Sequence, residues 1–307
     1  MPTSKGVRPH AFRSDSEAEG RTDPSSKIQK RGGPHGQRAI RGSKARLHSS
    51  LMLAERLKLP DMEPESGPEV DREAAIVLLT ATVSLLVFAY WGRPGWFNSS
   101  GLVDWVSRNV GGPFAEFPGV GGYVWWGLTS FVLRLLVPLA IIVWLLRRRP
   151  VDFGYRIRGI AAHVPMYVVF YLVMLPVLIW ASSFSSFRSF YPFYDRAFEG
   201  GTAFWLYEAG YLVQFIGLEA FFRGFLTFGL ARRFGILSIF IMTVPYTMIH
   251  FGKPMPEATA AIFAGLILGY MALRTRSFVP GIFLHASVAI TMDLLVLWRN
   301  GFLGNIL

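Results

Sequence analysis

The chain has 307 residues, with 31 Lys plus Arg against 20 Asp plus Glu and a formal net charge of +11; hydrophobic types make up 52% and charged types 17%. Soluble domains carry about 25% charged residues, so a water-soluble globular fold is excluded for most of this length, and the absence of cysteine excludes disulfides, thiolate metal sites and a cysteine nucleophile. The basic residues flank apolar runs instead of forming one patch, which argues against a nucleic-acid partner.

Residues 1–73 are predicted to be a tail and linker. Positions 1–50 hold 11 basic and 4 acidic side chains without apolar periodicity, the composition of a disordered segment. Residues 51–59 suit a short interfacial helix, and 60–73 form an acidic linker. Met52 or Met62 is an alternative start. No secretory signal precedes the first long apolar run, which begins at Ala74.

Residues 74–307 hold only 17 basic and 9 acidic side chains in 234 positions. Seven apolar stretches, at 74–92, 121–146, 160–183, 202–229, 235–251, 256–273 and 278–298, each approach the ~20 residues that span a bilayer. The prediction is an all-α, polytopic transmembrane bundle of about seven helices. Basic clusters follow the second stretch (Arg147, Arg148, Arg149, Arg156, Arg158), the fourth (Arg232, Arg233) and the sixth (Arg274, Arg276). Those three loops share one side in a seven-span topology. The positive-inside rule then puts the N-terminus in the cytoplasm; the expected location is a bacterial plasma (inner) membrane. The loop 93–120 is long enough for a re-entrant piece.

An ionisable side chain at bilayer depth costs roughly 2.5–3.5 kcal/mol, so each needs a reason. Arg134, His163, Glu208, Glu219, Arg223, His250, His285 and Asp293 are the set. Glu219 and Arg223 are i,i+4 and share a helix face; they read either as a structural ion pair or as a carboxylate oriented by a planar guanidinium. His250 follows Tyr246 by four residues, just before Gly252, Lys253 and Pro254. It lies about 24 Å along its stretch, against about 15 Å for Glu219. The two meet only if the fifth helix starts deep or tilts, or if GKPMPE turns inside the protein. His285 sits in the last stretch, with Ala289 at i+4 and Asp293 at i+8. Arg134 is most simply a counter-charge to Asp293, Glu208 or Glu219.

The order and placement of these groups resemble the CAAX-protease and bacteriocin-processing (Abi) family of intramembrane glutamic endopeptidases. That family carries Glu-Glu-x-x-x-Arg, then Phe-x-x-x-His, then His-x-x-x-Asn or Asp on successive helices. Glu219-Ala-Phe-Phe-Arg223 matches the first pattern, Tyr246-Thr-Met-Ile-His250 the second with Tyr for Phe, and His285 the third. The resemblance covers 202–298. Leu218 stands where the family has its first Glu, and Ala289 where it has Asn or Asp.

The resemblance implies hydrolysis of a peptide bond in a membrane-embedded or membrane-anchored protein or peptide. Glu219 is the expected general base, holding a water with His250, and His285 the expected oxyanion donor. Arg223, Tyr246 and Asp293 are expected in support, without a cofactor. The alternatives are a zinc site of His250, His285 and Glu219, an inactive scaffold or immunity-type protein on the same fold, and a transporter lined by Arg134, Glu208 and Asp293.

Overall fold

The computed structural model describes residues 71–306; the expected tail, the helix at 51–59 and the linker up to residue 70 lie outside the described residues. Eight helices organise the rest: α1 (Arg72–Trp91), α2 (Leu102–Asn109), α3 (Val120–Leu145), α4 (Ile160–Ala181), α5 (Gly201–Phe234), α6 (Leu237–Met248), α7 (Met255–Thr275) and α8 (Val279–Arg299). The described residues contain no strand. Six helices are long and apolar enough to cross a membrane, namely all but α2 and α6, and the chain is an integral-membrane, all-helical bundle. The stretch expected to span at 235–251 forms a 12-residue helix instead, about 18 Å long at the helical rise.

Local sequence explains the helix starts. Asp71 Oδ1 accepts a hydrogen bond from Ala74 N at 2.9 Å and caps α1, so helix begins two residues before the expected linker ends. Pro256 and Pro280 occupy first-turn positions of α7 and α8, where a missing N–H costs nothing. The long 93–120 connection folds into short helical pieces, and the Trp96 ring stacks on Trp125 of α3 at 5.4 Å.

Burial is uneven. The most apolar window of α5 is 83% buried, that of α4 17%. Exposed Val168, Val169, Leu172 and Val173 on α4 suit a lipid-facing surface. The central helix α5 lies directly against α3 through small residues. A Cβ on Gly210 would come within 2.6 Å of the Tyr123 carbonyl group, and Ser130 Oγ donates to the Gln214 carbonyl at 2.8 Å. Residue numbers rise together along this seam, so the two helices run parallel.

The seam brings the C-terminal ends of α3 and α5 to one end of the bundle. There Arg148 Nη2 meets Glu73 of α1 at 3.0 Å, and Arg232 lies 3.9 Å from the same carboxylate. Ser277, in the α7–α8 turn, donates to the Arg156 carbonyl at 2.6 Å. All three basic clusters therefore gather at one end.

Within α5, Ala220–Leu226 is wound as a π-helix. Thr227 Oγ1 donates to the Phe222 carbonyl five residues back, at 2.7 Å. Such insertions shift the register of a helix face and concentrate at functional sites. This one begins directly after Glu219.

Candidate active site

Glu219 and Arg223 are 0% and 1% exposed. Glu219 Oε1 lies 3.2 Å from Arg223 Nη1 and 2.9 Å from His285 Nδ1. The other carboxylate oxygen, Oε2, has no hydrogen-bond partner among the described residues. It faces Gly281 of α8, where a Cβ would stand 2.7 Å from it. Gly281 precedes His285 by four residues, so one face of α8 both makes room for the carboxylate and bonds to it.

Arg223 is fixed from three sides. Besides Glu219, its guanidinium lies 3.9 Å over the Tyr246 ring, and Nη2 donates to the Ala264 carbonyl of α7 at 3.4 Å. The Tyr246 ring lies 4.8 Å from the His250 ring and 6.4 Å from the His285 ring. Glu219, Arg223, Tyr246, His250 and His285 thus form one continuous cluster. The depth mismatch between His250 and Glu219 disappears because α5 runs on to Phe234, which puts Glu219 about 22 Å from its basic end, near the level of His250 just past the end of α6 at Met248. His250 sits in the following turn, and Gly252, Lys253, Pro254 and Pro256 line a cavity inside the protein.

Both imidazoles have a defined tautomer. His250 Nδ1 is 2.8 Å from the Tyr246 carbonyl oxygen. A carbonyl only accepts, so Nδ1 carries the proton and Nε2 presents a lone pair. His285 Nδ1 faces a carboxylate oxygen, and the same argument leaves its Nε2 unprotonated while the ring is neutral. The His285 ring is steadied by Phe215 at a centroid distance of 4.4 Å.

The cavity measures about 480 Å³ and is lined by Tyr246, His250 and His285 together with Leu218 and Ala289. Glu219 and Arg223 lie behind this lining, screened by His285. The two positions that depart from the family pattern therefore present apolar side chains to the cavity.

Two expectations need correction. Asp293 does not join the cluster: its Oδ2 accepts from the Tyr207 hydroxyl at 2.8 Å, and it lies beside Glu208, with both acids buried. Successive i+4 steps along α8 rotate by about 40° each, so Gly281, His285 and Ala289 keep to the site while Asp293 has turned away. Arg134 is not the counter-charge of Asp293, Glu208 or Glu219. It is 3% exposed, lies 3.6 Å over the Phe88 ring, and forms no ion pair among the described residues.

As for a metal, the described residues contain no group of three His, Asp or Glu side chains placed to hold one. Two features escaped the sequence. Gly281 was readable as a small residue one turn before His285. Lys253 and Glu257, an i,i+4 pair at 2.7 Å, line the cavity and engage Tyr191, whose hydroxyl donates to Glu257 Oε2 at 2.6 Å.

Residues 200–291 match the model of the family described as type II CAAX prenyl endopeptidase Rce1-like, which agrees with the resemblance carried by the motifs. No curated protein and no solved structure matches the chain.

Proposed function

From that family match we infer that the chain is a CAAX-type intramembrane protease, hydrolysing a peptide bond in a membrane-embedded or membrane-anchored substrate. The observation that carries the roles is the bond between His285 Nδ1 and the sealed Glu219 carboxylate. It favours a division of labour different from the one the family pattern implies. His285 Nε2, on a ring that lines the cavity, is the general base. Glu219 is a positioning residue that fixes the ring's tautomer and stabilises the imidazolium once formed. His250 Nε2 accepts the second hydrogen bond of the attacking water. As water adds to the scissile carbonyl, His285 takes its proton and then delivers it to the departing amine. Tyr246, on the cavity wall, is the candidate donor to the oxyanion. Arg223 anchors Glu219 from behind.

The test compares peptides released from membranes carrying the wild type and His285→Ala. Release that disappears in the variant supports the reading; identical peptide profiles overturn it. For the Glu219 role, Glu219→Gln should lower kcat by about 10²-fold or more with little change in KM. A second reading, an inactive scaffold on the same fold, is favoured by Leu218 and Ala289 facing the cavity. A biological phenotype that survives both variants would select it. The N-terminus is proposed to lie on the side of the three basic clusters, the cytoplasmic side.

A further inference from the structure

A second hollow, of about 800 Å³, opens at the basic end of the bundle and shares no residue with the cavity of the candidate active site. Three parts of the chain bring arginines to it: Arg149, Arg156 and Arg158 in the α3–α4 connection, Arg232 near the end of α5, and Arg276 at the C-cap of α7. Asp152 is the one acid of the lining. Arg149, Arg156, Arg158 and Arg276 form no ion pair among the described residues, with Asp152 or with any other acid. Glu73, at the same end, is engaged by Arg148 at 3.0 Å and by Arg232 at 3.9 Å. Five guanidinium groups thus surround one hollow with a single carboxylate among them.

The backbone around the hollow is fixed. Its floor is made of Phe153, Phe228 and Leu273, all buried. Ser277 Oγ donates to the Arg156 carbonyl at 2.6 Å, Phe278 N donates to the Gly154 carbonyl at 3.4 Å, and the Tyr155 ring meets the Phe278 ring edge-on at 4.9 Å. The α3–α4 connection is therefore pinned to the α7–α8 turn before any ligand arrives, which lowers the ordering cost of binding. Tyr155 also lines the hollow, and its hydroxyl is buried without a hydrogen-bond partner among the described residues. Buried hydroxyls are normally bonded, so this one is a donor in reserve.

The depth of the hollow narrows the ligand. Trp144 is exposed on the last turn of α3, just before the arginines, and Ile157 is exposed between Arg156 and Arg158. Tryptophan and tyrosine collect where a membrane meets water, and apolar side chains interleaved with cationic ones suit the headgroup boundary. A soluble phosphate would engage the arginines and leave the exposed Val151 and Ile157 in water. A phospholipid covers both.

We propose that this hollow binds the phosphate headgroup of an anionic phospholipid, with Arg156, Arg158 and Arg276 on the phosphate oxygens, the Tyr155 hydroxyl as a further donor, and Val151 and Ile157 against the upper acyl carbons. Guanidinium forks match phosphate oxygens in shape as well as charge, and basic pockets between membrane helices take anionic headgroups. No residue of the Glu219–His285 cluster takes part, so the proposal stands apart from the protease reading.

The experiment is native mass spectrometry of detergent-solubilised full-length protein titrated with dioleoylphosphatidylglycerol or dioleoylphosphatidylcholine. The wild type should bind one phosphatidylglycerol at least about tenfold more tightly than phosphatidylcholine. Arg158→Gln/Arg276→Gln removes two lining charges and should abolish that preference. Arg147→Gln/Arg274→Gln removes two exposed charges from the same end but outside the lining, and should retain it. Thermal unfolding in phosphatidylcholine micelles checks that each variant is folded; if the first double variant is not, Arg156→Gln alone should weaken phosphatidylglycerol binding by about threefold or more. Inorganic phosphate at about 10 mM should leave the preference in place, since it lacks the apolar contacts; its disappearance would assign the hollow to a soluble phosphate and overturn the lipid proposal. Absence of a wild-type preference, or equal losses in the two double variants, overturns the site itself, because the charge at this end would then act diffusely.

Discussion

Two buried acid centres lie along α5 and α8, and they are built on opposite principles. Around Glu219 the carboxylate has a guanidinium at 3.2 Å and an imidazole at 2.9 Å. Around Glu208 and Asp293 no cation is paired among the described residues, and a phenol, Tyr207, supplies a bond to Asp293. The first centre holds its carboxylate between a guanidinium and an imidazole next to a cavity. The second is a pair of neighbouring acids, of which Asp293 alone takes a hydrogen bond among the described residues, beside the stacked rings of Tyr123, Tyr207 and Tyr211. On the proposed reading, the acid beside an arginine and a histidine serves chemistry and the acid among phenols serves packing.

Substitutions can break that contrast. Arg223→Met should have the largest effect, destabilising the protein by about 3–5 kcal/mol because Glu219 is left as an unpaired buried charge; thermal unfolding in detergent measures it. Glu219→Gln, which keeps the shape, should cost activity in preference to stability, with the roughly 10²-fold fall in kcat expected of a lost positioning carboxylate. If unfolding and turnover fall in parallel, the first centre is structural after all. Gly281→Ala forces a methyl against Oε2 and should cost about 1–3 kcal/mol and lower kcat, read by unfolding and peptide release together. The second centre supplies the smallest effect: Tyr207→Phe should cost about 1 kcal/mol and leave peptide release unchanged. A loss of activity there would make the two centres one.

Much of the fold was legible in the chain because apolar length and flanking arginines are local properties. The three basic clusters at one end of the bundle follow from counting spans, even though the fifth is short. What escaped was set by tertiary contact. The stretch at 235–251 is apolar enough to cross but forms only a 12-residue helix, and it is the length of α5, which runs on to Phe234, that brings Glu219 level with His250. Glu219 and His285 were visible as polar residues in apolar helices, whereas the order in which they stand, carboxylate behind and imidazole in front, depends on Gly281 letting two helices close up. Arg134 was noticed for its charge, and only packing against Phe88 shows that no acid accompanies it.

The glycine-lined contact between α3 and α5 has a mechanical consequence. Backbones that touch at Gly210 and Gly217 leave no side-chain layer to slide on, so α3, α5, Arg134 and Glu219 behave as one stiff plate. The opposite wall of the cavity belongs to α4, whose Met174, Val177 and Leu178 line it and whose outer face meets lipid. It is tied to α8 by the bond of Tyr171 to Thr291 at 2.7 Å and, at its far end, by Arg299, whose Nη2 donates to the Ile179 carbonyl at 3.1 Å. If a substrate enters from the bilayer by displacing α4, spin labels should report a variable α4–α8 separation beside a constant α3–α5 one. The least buried of the six long helices thus stands across the cavity from the pair that glycine welds together.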